Sequence, residues 1–171
     1  NVRFDIPKSF IIAASGVVVE GNPGWEDVVV DTSIEYNVWL DIHNSNLIES
    51  SENERRIVTF LAENVHDFAW VASKDFLYEG GLSKDGKTKV HVLYDKQRGE
   101  NWTKVVLERS INALNWLEQK FGKYPYPQIT TTDRIKSGGM EYPMLVMNGR
   151  DSESLIVHEY GHIYFYGILA N

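Results

Sequence analysis

The sequence has no cysteine in its 171 residues, which excludes disulfides and thiolate-bound metal. Compartment stays open, because cysteine-free chains occur on either side of a membrane. No apolar run approaches the roughly 20 residues that a membrane-spanning helix needs. Basic residues are few. Against 24 Asp and Glu stand 17 Lys and Arg, leaving a formal charge of −7. The cations form no stripe, so nucleic acid is not an expected partner. The first residue is Asn1, and no signal-peptide pattern follows it. The chain stops at Asn171, close behind a helical motif, so a fragment of a longer protein is expected. What is present is ordinary for a globular chain, with 43% apolar and 24% charged residues.

Short apolar or alternating segments predict strands at Val2–Ile6, Phe10–Ala14, Val17–Val19, Val28–Val30, Ile34–Leu40, Ile57–Ala62, Phe68–Val71 and Val90–Tyr94. Gly21-Asn-Pro-Gly24, Gly80-Gly81 and Lys84-Asp-Gly86 read as turns, and Asn44 to Asn53 as a polar loop. This pattern predicts an antiparallel β-sandwich or sheet. The character changes near Gly99. Leu107, Ile111, Leu114, Leu117 and Phe121 recur at three- and four-residue steps, which predicts a helix from an Asn101 cap to Phe121, with Gly122 behind it. Ile129–Asp133 and Met140–Asn148 then read as strands, and Asp151 or Ser152 as the cap of a last helix. The expected fold class is α+β, with one unit over residues 1–98 and another over 99–171.

The last helix carries His158-Glu159-Tyr160-Gly161-His162. Residues i and i+4 share a helix face, so His158 and His162 can offer two nitrogens to one zinc ion. Glu159, beside the first ligand, is placed to take a proton from water at the metal. The competing reading is a buried helix with satisfied core histidines, since Ile163-Tyr-Phe-Tyr166 is apolar. Upstream, Gly138-Gly139-Met140-Glu141 joins a pair of residues without side chains to a carboxylate. Such a pair admits a close backbone, and the carboxylate can hold a cation beside a docked extended peptide. A plain glycine turn into an edge strand is the alternative. His43, His66 and His91 lack a partner at metal spacing and read as structural, and the five tryptophans as packing.

Gly138-Gly-Met-Glu-Tyr-Pro143 resembles the Gly-x-Met-Glu-Asn signature of the zinc aminopeptidases related to aminopeptidase N and leukotriene hydrolase. Phe121-Gly-Lys-Tyr-Pro-Tyr-Pro127 and Val65-His-Asp-Phe-Ala-Trp70 resemble two further family segments, and the histidine motif follows in the expected order. The resemblance implies the later part of an amino-terminal β domain, then the start of a thermolysin-like catalytic domain. It implies His158 and His162 as zinc ligands, Glu159 as the water-activating base and Glu141 as the anchor of a substrate α-ammonium. Gly138, Gly139 and Met140 would line the peptide. The implied substrates are peptides with a free amino terminus, and a monomer is expected.

The chain departs from the pattern at Tyr142, where the family favours Asn, and at Tyr160-Gly161 between the histidines. The family's third zinc ligand is a Glu roughly twenty residues past the second His, in a three-ligand site. Only 171 − 162 = 9 residues follow His162, none of them acidic. Residues 1–171 alone are therefore expected to hold zinc weakly and to lack turnover. Two rivals remain: a zinc endopeptidase, which would not depend on Glu141, and a non-catalytic β scaffold that binds protein partners.

Overall fold

The computed structural model describes residues 1–46 and 53–169. Two small antiparallel sheets come first. One joins β1 (Val2–Pro7), β4 (Arg55–Leu61) and β3 (Val17–Gly21), with β4 in the middle. The other pairs β2 (Ile11–Ala14) with β5 (Trp70–Ser73). Phe4, Ile12, Ala14, Val58 and Phe60 form a core of their own there. The inward alternation of Val58 and Phe60 along β4 is the period-two pattern of a half-buried strand. Arg56 is buried beside them. It holds the Asn22-Pro23-Gly24 turn by donating to the Asn22 carbonyl at 2.9 Å and to Asp27 Oδ2 at 2.8 Å.

A five-stranded sheet follows. It comprises β6 (Phe76–Leu82), β7 (Lys89–Asp95), β8 (Gln128–Thr132), β9 (Gly139–Tyr142) and β10 (Leu145–Asn148), in the order β6-β7-β8-β10-β9. The outer pairs are antiparallel, whereas β7, β8 and β10 run parallel. The antiparallel expectation thus describes the small sheets, and the large sheet is mixed. Strands from either side of residue 98 share it. Two long helices, α3 (Val105–Phe121) and α4 (Glu153–Leu169), pack on each other and on this sheet, α4 against β9 and β10. Gln128 ties the regions together: its buried side chain donates to the Gly16 carbonyl at 2.7 Å and the Met144 carbonyl at 3.3 Å. Among the described residues no helix is long and apolar enough to cross a membrane.

Several local expectations are corrected. Ile34–Leu40 is not a strand; α1 (Tyr36–Asn46) occupies it and extends through Asn44 to Asn46 of the expected loop. Residues 47–52 of that loop lie outside the described residues. Tyr36 and Trp39 are the buried face of α1, and Glu35 starts it by accepting from the Val38 amide at 3.1 Å. Alternation at Tyr36, Val38 and Leu40 coincided with a helical stripe. Val28–Val30 makes a short 3-10 turn, Trp25–Val28, and one bridge from Val29 to Tyr78. Gly80 and Gly81 do not turn the chain but lie inside β6, where a Cβ on Gly80 would sit 2.2 Å from the Tyr78 hydroxyl oxygen. The expected 101–121 helix is broken into α2 (Gly99–Trp102) and α3. Lys104, at φ 64°, divides them. Phe121 is exposed, as are Trp70 and Trp116, which therefore do not serve as core. Met140–Asn148 is a hairpin and not one strand, because Pro143 and Met144, the latter at φ 61°, reverse the chain.

Candidate metal centre

Helix α4 buries Ile156, Tyr160, Ile163 and Tyr164, a stripe at helical spacing, and Glu159 lies on its margin at 3% exposure. Tyr160 pins the helix to the sheet through a hydrogen bond of 2.8 Å between its hydroxyl and that of Thr131 on β8. Burial pushes the Tyr160 hydroxyl up to about 12, so it stays a neutral fixture. That anchoring sets which side of α4 faces outward. His158 is exposed and His162 half-buried on the adjoining face, one turn apart.

The two imidazoles face each other. Their Nε2 atoms are 3.0 Å apart and their rings stand nearly perpendicular, at 87°. Both nitrogens point to one place. The donor chemistry fits a zinc ion as two of its ligands. Among the described residues no group of three or more His, Cys, Asp or Glu gathers to hold a metal ion.

The edge strand β9 brings the second group of residues to the helix. A Cβ on Gly139 would lie 2.0 Å from Glu159 Oε1 and 2.6 Å from its Cγ, so only glycine admits the buried glutamate. Glu141, two residues on, shares that face of the strand. Burial pushes the Glu159 carboxyl up. His158 and His162 pull it down, while Glu141 raises it further by its charge and by a side-chain hydrogen bond. Met140 points to the opposite face of β9 and pairs with Met147 of β10. Gly138 is exposed at φ 70°, a backbone conformation that suits glycine, and its carbonyl accepts from the Gly149 amide at 2.9 Å.

Two residues near the imidazoles were not singled out for the site from sequence. Tyr166 stacks on His162 with centroids 6.0 Å apart, and the ring of His66 meets Tyr166 edge-on at 5.5 Å. A helical step of four would have found Tyr166. Nothing local marks His66, which arrives from a loop of the first unit. The other histidines are structural. His91 is bonded to the Tyr78 hydroxyl at 2.8 Å and pushed down to about 4 by burial, and His43 stacks on Trp39.

No family model and no curated protein matches the sequence. Solved structures do. An M1 zinc metallopeptidase from Deinococcus radiodurans matches with a TM-score of 0.62 at 15% identity, over 95% of this chain and 33% of its own. A two-domain M1 zinc metallopeptidase mutant bound to L-arginine matches with a TM-score of 0.62 at 15% identity, over the same shares. A mutant bound to L-tryptophan gives 0.61 at 14% identity. The chain spans about a third of the length of these structures. Its fold is therefore shared with part of the M1 zinc metallopeptidases.

Proposed function

We propose that the chain carries the water-activating and amine-binding residues of a zinc aminopeptidase. The catalytic unit is thermolysin-like and includes α2 to α4 together with the sheet they cover. What supports this most directly is one observation: two imidazole nitrogens converge beside a buried glutamate, whose carboxyl is pushed up by burial and by the charge of Glu141 on an edge strand.

His158 and His162 would hold zinc through Nε2, and zinc bound there supplies Lewis acidity to a water and to the scissile carbonyl. Glu159 takes the proton of the attacking water and returns it to the leaving amine. Its raised proton affinity favours taking up that proton. Glu141 binds the substrate α-ammonium, whose positive charge offsets the negative charge gathered at the two glutamates. The outer side of β9 has no strand partner among the described residues, and Gly138 and Gly139 offer it to an extended peptide, with Met140 between them and Glu141. In the family pattern a third zinc donor, a Glu, would complete the set of three protein ligands that a catalytic zinc site uses.

The test uses the complete protein and a matched pair of peptides, one with a free and one with an acetylated amino terminus. Glu141→Ala should raise KM about tenfold or more for the free peptide, consistent with the loss of a hydrogen-bonded charge pair. Equal cleavage of the acetylated peptide by the parent protein would show an endopeptidase instead.

A further inference from the structure

This inference rests on the roles proposed above for Glu141 and Glu159. Glu141 shares a face of β9 with Gly139, and Glu159 stands against Gly139. An amine held at Glu141 and a peptide bond attacked beside Glu159 fix the direction of the bound peptide. It runs from Glu141 toward Gly139, antiparallel to β9, along the open edge. Each residue advances it about 3.3 Å. The third and fourth residues therefore pass Gly138 and reach the segment that joins β8 to β9.

That segment borders a cavity of about 320 Å³, lined chiefly by Asp95, Arg98, Asp133, Arg134 and Lys136. It lies where the parallel strands β7 and β8 end, the usual place for ligands in parallel sheets. The site is rigid. Buried Asp133 accepts from the Asp95 amide at 3.0 Å and from Arg134 Nε at 3.1 Å, with Arg98 Nε 3.8 Å away. Arg134 also donates to Asp95 Oδ2 at 3.2 Å and lies over the Phe76 ring, 4.5 Å from its centre. Arg98 donates to the Gly149 carbonyl, and the Gly149 amide donates to Gly138, so the cavity is fixed to the start of the peptide edge. Exposed Lys136 makes no ion pair among the described residues. Three cations thus face two carboxylates, a local positive excess on a chain of net charge −7.

We propose that this cavity receives a carboxylate carried by the third or fourth residue of the peptide, so that short or acidic peptides are preferred. The carboxylate comes from the carboxyl terminus of a short peptide or from an Asp or Glu side chain, chemically the same ligand.

The test is calorimetric titration of the complete Glu159→Gln protein, which binds without cleaving, with three tetrapeptides that share a free amine. One is tetra-alanine, the second its carboxyl-terminal amide, and the third that amide with Asp in fourth place. Either or both carboxylate peptides should bind about three- to tenfold tighter than the plain amide, and which one does identifies the source. The ratio should fall to about one in Lys136→Glu and in 0.5 M salt, where exposed charge pairs are screened. A ratio of one in the parent background, with the plain amide still bound, overturns this proposal and leaves the aminopeptidase standing. Failure of all three to bind overturns both.

Discussion

Two glutamates are buried almost equally, Glu79 at 4% exposure and Glu159 at 3%, and burial pushes both carboxyls up. They differ in what answers them. Glu79 accepts from the Tyr94 hydroxyl at 2.7 Å and from the Lys104 amide at 3.0 Å, which completes the first turn of α3. Those donors are fixed dipoles of the fold. Glu159 is answered by Glu141, His158 and His162, ionisable side chains and not fixed dipoles. Residue type and burial are the same in both places, so it is the chemistry of the partners that distinguishes the two carboxylates.

The sharpest break between the two comes from removing charge at constant shape. In the complete protein, Glu159→Gln should lower kcat about a thousandfold, as loss of a general base does, with little change in unfolding free energy. Retention of turnover would end the assignment. The next effect is geometric. Gly139→Ala should cost about a hundredfold in kcat, because the new methyl group displaces the Glu159 carboxyl, and misplacement by about an ångström has that scale. Gly138, where a Cβ meets nothing, serves as the control: the same change there should cost stability and not this factor. The smallest effect belongs to Glu79. Glu79→Gln should leave kcat within a few-fold and cost about 2 kcal/mol in denaturant unfolding, because a buried acceptor is altered. That deficit should depend on pH. The folded proton affinity of Glu79 is raised, so its stabilising share is complete below about pH 4.5 and is lost as pH rises through the folded value. The gap between parent and variant should therefore be widest in acid and narrow toward neutrality.

The grouping of the candidate site residues was more legible than the fold. His158, Glu159 and His162 are bound together by helical spacing, which is local, and Gly138 to Glu141 by a strand of four residues. Their meeting depends on β9 being the edge beside α4, which the sequence expresses only through the family resemblance. The mixed sheet was not legible, because β7, β8 and β10 are parallel neighbours far apart in the chain. Glycines misled at Gly80 and Gly81: close approach to Tyr78 and to Ile111 of α3, not a turn, is what excludes a side chain there. Helix α1 was missed because Tyr36, Val38 and Leu40 alternate by accident, while the deciding contacts of Tyr36 and Trp39 are tertiary. The break at Lys104 depends on Glu79, some 25 residues earlier in the chain.

The side-chain amide of Gln128 has both its hydrogens committed, one to the turn at Gly16 and one to the hairpin bend at Met144, while its oxygen accepts from Thr130. Sliding the small sheets past the hairpin would strand three shielded polar atoms at once. Relative movement of these parts therefore carries the cost of leaving buried polar groups unpaired, so one side chain couples a turn, a hairpin and the central sheet.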